Sequence, residues 1–162
     1  MGRVWKYGDD VNTDVIFPGK YTYTVTEPEE MAQHALEDLD PEFARNVQKG
    51  DVIVAGKNFG CGSSREQAAS CLKYAGVEAI IGESFARIFY RNAINFGLPA
   101  IVCPEAARTL EANVSVEVDL VSGQIRAEGR VFKFIPFPEF IMEIIEDGGL
   151  LAHIKKELQA NG

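Results

Sequence analysis

Histidine and cysteine are scarce in this chain, with two of the first and three of the second among 162 residues. Cys61, Cys71 and Cys103 stand ten and thirty-two residues apart, with no Cys-x-x-Cys pair and no histidine pair nearby. Such spacing is not a zinc or iron–sulfur ligand set by itself. An odd count points to free thiols, with Cys71 and Cys103 as buried fillers in apolar surroundings and Cys61, in a glycine turn, placed to line a site. His34 and His153 fall in charged, helix-like segments and read as surface residues, which leaves little basis for a Ser-His-Asp triad. An excess of basic charge is also missing. With 16 Lys and Arg against 24 Asp and Glu the net charge is -8, which argues against nucleic acid as the main partner but leaves room for local binding of small anions. No apolar run approaches the roughly 20 residues of a membrane span. The opening residues Met1 to Tyr7 have no signal-peptide core, and Lys6 stands where a myristoylation signal has Ser or Thr. A cytoplasmic chain is expected, folded as one domain over 1–162, with no internal repeat or linker.

Several familiar motifs fail. Gly60-Cys61-Gly62 lacks the third glycine of a dinucleotide fingerprint, because Arg65 stands there. The glycines from Gly56 to Gly62 are not followed by the lysine of a phosphate-binding loop, and Gly62-Ser63-Ser64-Arg65 lacks the closing glycine of a hydrolase elbow. Asp10, Asn12 and Asp14 mimic the start of a calcium loop, but Val15 and Tyr21 occupy the positions that need Gly and Glu. An Asx-turn cluster is the plainer reading.

What is present is an alternation of buried strands and helices. Arg3–Tyr7, Val52–Ala55, Glu78–Gly82 and Pro99–Val102 read as short strands. Helices are expected over Pro28–Leu39 with Thr26 capping, over Glu66–Ala75, and over Phe85–Phe96 with Ser84 capping. Phe43–Lys49 reads as a connector. Repeated strand–helix–strand order argues for a parallel core sheet. Val114–Leu120, Gln124–Ala127 and Arg130–Ile135, joined at Ser122-Gly123 and Glu128-Gly129, form an antiparallel meander. Helices over Phe137–Glu146 and Leu150–Leu158 end the chain. Arg87, Arg91 and Asn95 form a row four residues apart, with Glu83 one step before it. A solvated, ion-paired face explains such a row, and a partner-facing one is the sharper alternative.

The run Gly60-Cys61-Gly62-Ser63-Ser64-Arg65-Glu66 carries the most information. Two glycines allow a sharp turn after a strand. Two hydroxyls and a guanidinium then arrive where a helix opens, a place that favours negative charge and can lower the proton affinity of a serine. Ser63 with Glu66, or Ser64 with Gln67, also fits a capping box. A capped helix start and an anion site are compatible.

This run resembles the GxGSSRE signature of the aconitase superfamily. Trp5–Asp14 and Glu83–Asn95 resemble the family's opening segment and the helix after its signature. The resemblance covers nearly the whole chain and is nearest to the small subunits of the archaeal-type isopropylmalate dehydratase branch, related to homoaconitase small subunits. It implies an α/β swivelling domain of β/β/α layers. It also implies a separate large subunit that holds a 4Fe-4S cluster acting as Lewis acid, with no cofactor on this chain alone. A higher oligomer is compatible with it. Carried over by residue, Ser63 matches the catalytic serine, working as an alkoxide stabilised by helix amides and Arg65. Ser64 and Arg65 would hold a substrate carboxylate, and Asp14 would orient or relay a proton. Thr22, Tyr23 and Thr24 fall in the family's specificity loop. No arginine stands from Tyr21 to Thr26, which favours a dicarboxylate with an uncharged tail over a tricarboxylate. The two threonines are more polar than an isopropyl pocket usually is, so citramalate or a methylated malate also suits. A plain β-like edge, with Tyr21 and Tyr23 packing, is the structural alternative for this loop. The expected function is isomerisation of 2- and 3-isopropylmalate by dehydration and rehydration, in leucine biosynthesis and only with the large subunit. The competing readings are a homoaconitase or citramalate-type subunit, and a non-catalytic anion-binding regulatory module.

Overall fold

A computed structural model describes residues 2–161. Four short strands pair in parallel: β1 (Gly2–Lys6), β2 (Val52–Val54), β3 (Ala79–Gly82) and β4 (Ala100–Val102), in the order β4-β3-β2-β1. Val4 lies opposite Val52, Ile53 opposite Ile80, and Ile81 opposite Ile101. Strands covered on both faces need apolar residues at successive positions, which is what these runs supply. Alternation then splits them. Ile53, Ile80 and Ala100 enter one core, and Val52, Val54, Ile81 and Ile101 the other.

The first core is closed by helices α2 (Pro28–Gln33), α4 (Glu66–Tyr74) and α5 (Arg87–Asn95), through Met31, Leu72 and Phe89 among others. The second is closed by the antiparallel half of the same sheet. There β5 (Ser115–Asp119) joins β1, and β6 (Gln124–Ala127) and β7 (Arg130–Lys133) follow. This half does not extend flat. Cys103, just past β4, donates to the carbonyl of Lys133 at the end of β7 across 3.6 Å, although these strands are the two ends of the seven-strand order. The sheet therefore curls over itself. One strand layer covers a face of the parallel half and helices cover the other, the β/β/α arrangement that the family resemblance implies.

Asp51 ties the start of this sheet. It is 2% exposed and accepts from the Arg3 amide at 3.0 Å, the Trp5 indole at 3.0 Å and the Gln48 amide at 2.9 Å. Burial alone would raise its pKa, but the two backbone donors and the indole outweigh burial and hold it below the ordinary value. A depressed folded pKa adds stability that is present above the unfolded value and lost as pH falls through the folded one. Asp51→Ala is expected to cost about 3 kcal/mol at neutral pH, since three part-buried donors lose a buried acceptor. The gap to wild type should narrow in urea titrations taken down towards pH 3.

Several boundaries differ from the sequence expectation, each for a local reason. The helix expected to Leu39 ends at Gln33, because Leu36 turns into the left-handed region (φ 57°) to bury its side chain and bond the Ile16 carbonyl at 2.8 Å. Its N-cap is Glu27, not Thr26. The supposed connector after Asp40 contains α3 (Pro41–Asn46), with Asp40 accepting from the Glu42 amide at 3.2 Å. A further helix, α6 (Pro104–Thr109), follows β4. Ser84 does not cap α5. Its hydroxyl accepts from the Asn58 amide at 2.8 Å, and Phe85 stays extended to bridge Phe59. Pro138 is the N-cap of α7 (Glu139–Glu146), and α8 (Leu150–Asn161) follows. Residues 20–24 are not a β-like edge. Gly19–Tyr21 forms a 3-10 turn, continued by Val25 N–H to Tyr21 O at 3.0 Å. Neither histidine stands free at the surface. His34 meets Glu37 at 2.9 Å and stacks on Tyr21, and His153 meets Asp147 at 2.7 Å.

Candidate active site

The loops leaving the carboxyl ends of β1, β2 and β3 converge. Asn12 bridges Cys61, and Phe59 bridges Phe85, both in parallel. Gly60 N–H donates to Val11 O at 2.7 Å, and Thr13 N–H to Cys61 O at 2.8 Å. In open α/β sheets this end is where ligands collect. The first loop closes with α1 (Thr13–Ile16), whose start is capped by the Asn12 side chain accepting from Val15 N–H at 3.0 Å. The second turns at Gly60, where φ is 84° and an added Cβ would stand 2.2 Å from Phe89 Cγ. Only glycine fits both demands.

That turn delivers Ser63, Ser64 and Arg65. With Thr13 and Arg87 they line a cavity of about 280 Å³. Both serines are exposed and Arg65 is half-buried. Neither expected capping box forms. Helix α4 starts at Glu66 with Arg65 as its extended N-cap, and no side chain caps it. The serines lie ahead of the cap, so their hydroxyls are not consumed by helix amides. The nine-residue helix keeps its first-turn amides without a side-chain partner, a polarity that suits an anion.

Arg65 is fixed from two sides. One terminal nitrogen meets Asp14 Oδ1 at 2.5 Å, and the other donates to Phe17 O at 3.2 Å. Gly19 lies against the guanidinium, where a Cβ would come within 2.9 Å of Nη2. A guanidinium has five N–H donors, so donors remain for a carboxylate. Asp14 is exposed and is not among the cavity-lining residues. It reaches the site through Arg65.

Thr13 is the residue sequence reading missed. It is 2% exposed, and its hydroxyl donates to Ser63 O at 2.8 Å and lies 3.4 Å from Ser63 Oγ. Its neighbours Asn12 and Asp14 are polar too, so no local pattern sets this hydroxyl apart. Thr22, Tyr23 and Thr24 do not line the cavity. Thr22 donates its hydroxyl to Gly19 O at 2.8 Å, while its carbonyl accepts from Gln67 Nε2 at 2.9 Å. Tyr23 is 93% exposed. This segment stands beside Arg65 through Gly19, with the Tyr23 and Thr24 side chains exposed.

The cysteines do not fit a metal cluster. Among the described residues no three of His, Cys, Asp and Glu are placed to hold a metal ion. Cys71 lies in the helix-side core and Cys103 in the strand-side core, and burial pushes both thiols up. Cys61, half-buried in the turn, is also a free thiol. No described helix is long and apolar enough to cross a membrane.

Fold and site together define an α/β domain that presents a solvent-open serine–arginine turn at the carboxyl end of a parallel sheet. The model of the aconitase C-terminal domain matches residues 10–106. The chain is 55% identical to the 3-isopropylmalate dehydratase small subunit of Caldicellulosiruptor bescii, over 98% of this chain and 96% of that one. It is 54% identical to the methanogen homoaconitase small subunit of Methanothermobacter thermautotrophicus, over 97% and 91%. The crystal structure of a 3-isopropylmalate dehydratase from Methanocaldococcus jannaschii superposes with a TM-score of 0.92 at 44% identity, covering 99% and 95%. The chain belongs to the aconitase C-terminal domain family, as a hydro-lyase small subunit of the 3-isopropylmalate dehydratase type.

Proposed function

We propose that this chain forms half of the active site of a cytoplasmic 3-isopropylmalate dehydratase in leucine biosynthesis. It acts as a single domain and is inactive until a large subunit bearing a 4Fe-4S cluster closes over the cavity. The observation that carries this reading is the shared cavity of Ser63, Ser64, Arg65 and Thr13, open to solvent and held at the carboxyl end of the sheet.

Ser63 serves as the base. The proton beside a substrate carboxylate passes to its oxygen, and the C–H electron pair becomes the double bond as the neighbouring hydroxyl departs. The hydroxyl leaves as hydroxide, hydroxide then adds to the carbon that lost the proton, and Ser63 returns its proton to the carbon that lost the hydroxyl, which gives the isomer and restores the base. Arg65, already held by Asp14 and the Phe17 carbonyl, presents its remaining donors to a substrate carboxylate with Ser64 beside it. Pre-positioning of this kind avoids reorganisation during the reaction. Thr13 positions the base. Its hydroxyl is bound to the Ser63 carbonyl at rest and can rotate towards Ser63 Oγ, 3.4 Å away, when that oxygen is charged.

Substrate class follows from the segment beside Arg65. No arginine stands in Tyr21–Thr26 to meet a third carboxylate. Lys20, which precedes it, lies over the Tyr21 ring at 5.1 Å. A dicarboxylate with an alkyl tail is the fit. Reconstitution with the large subunit tests this. Isopropylmalate should turn over with kcat/KM at least about tenfold above homocitrate, the discrimination expected when a buried charge goes unpaired. Preference for homocitrate would move the chain to the homoaconitase branch. A stable complex that turns over no 2-hydroxy acid would leave a regulatory anion-binding module.

A further inference from the structure

A second groove, of about 430 Å³, runs along α5 where it meets α7. Arg87, Arg91 and Asn95 line it with Ile94, Ile141 and Ile144. Arg87 also lines the catalytic cavity, so the two openings meet at that residue. Arg87 and Arg91 are both exposed. Among the described ion pairs neither has a carboxylate, and Glu83, the expected partner of Arg87, pairs instead with Arg108 at 2.7 Å. Ile88, on the same helix and on the cavity's rim, is 51% exposed.

We infer that this face is where the large subunit docks, and that the segment seated on it is acidic with an aliphatic side chain entering the groove. The inference rests on the proposed function, which requires a partner to complete the cavity. A partner that covers Ser63 and Arg87 meets the groove next, because they share a rim. Charge selects its chemistry. The chain carries -8 overall, so an acidic surface is repelled by most of this molecule and drawn to a pair of unneutralised guanidiniums. A local patch against an opposing net charge fixes orientation as well as affinity. Arginine is also enriched at interfaces, whose buried centre is more apolar than the surrounding surface.

The test uses the small subunit with its cluster-loaded large subunit, and measures affinity at 50 and 500 mM salt separately from kcat at saturating small subunit. Arg91 lies outside the catalytic cavity, so Arg91→Glu reads docking alone. It should weaken association at least about tenfold at low salt, flatten the salt dependence, and leave saturated kcat within about twofold. If that variant misfolds by circular dichroism, Arg91→Ala decides, with about threefold weaker binding at 50 mM and wild-type binding at 500 mM expected. Unchanged affinity at low salt for the folded variant overturns the inference. So does sedimentation showing that the isolated small subunit pairs with itself through this face and that Arg91→Glu abolishes only that pairing. Either failure leaves the catalytic reading intact, because that one falls only if the complex turns over no substrate or if Ser63→Ala remains active.

Discussion

Ser63→Ala in the reconstituted complex is expected to lower kcat by about 10³-fold while KM and subunit affinity change by less than about threefold. The size is that of removing a positioned acid–base group. The selectivity comes from geometry. Ser63 faces the cavity, but its side chain packs against nothing in either core, so truncation leaves the turn intact. Arg65 stays held by Asp14 and Phe17, so the carboxylate grip survives. No imidazole stands ready to replace the lost base. His34 and His153 are paired with Glu37 and Asp147, and neither lines the cavity. Thr13→Val, which removes the positioning hydroxyl and keeps the shape, should cost about tenfold in kcat with little change in KM. Full turnover by the Ser63→Ala complex would remove the serine from the base role, and an equal loss in both variants through a raised KM would make the pair a binding device.

Much of the fold could be read because it rests on short-range rules. Val52–Val54 and Ala79–Gly82 are unbroken apolar runs between polar turns, and that pattern has few other outcomes in a chain that alternates strands with helices. The meander announced itself through Ser122-Gly123 and Glu128-Gly129. Local rules fail where a distant partner decides. Leu36 leaves a helical pattern because the Ile16 carbonyl and the core receive it. Ser84 spends its hydroxyl on Asn58, not on its own helix. Arg65, read as a free grip on substrate, is held by Asp14 and Phe17, about fifty residues earlier in the chain. Thr13 could not be singled out because its importance lies in touching Ser63 across the same gap. Glu83 and Arg87 have the spacing of a helical ion pair, yet Glu83 lies outside α5 and turns to Arg108. Local sequence names the residue types of the site. Convergence of three loops decides which of their atoms remain free.

Gly60→Ala should cost about 3–5 kcal/mol in urea unfolding of the isolated small subunit. Two penalties combine. At φ 84° an alanine pays about 1–2 kcal/mol against its own carbonyl. Its Cβ would also stand 2.2 Å from Phe89 Cγ and 2.3 Å from Phe89 Cβ. Those atoms cannot yield cheaply, since Phe89 is 2% exposed and stacks edge-on with Phe59 at 5.2 Å. Gly62 supplies the comparison. Its φ is 95°, yet an added Cβ meets nothing closer than 3.5 Å, so Gly62→Ala should carry the backbone penalty alone, about 1–2 kcal/mol. The difference between the two variants isolates the packing of the turn on α5, the contact that sets how far Ser63 projects from the sheet. Equal destabilisation would mean that Phe89 does not support the turn, and the position of the serine would then need another cause.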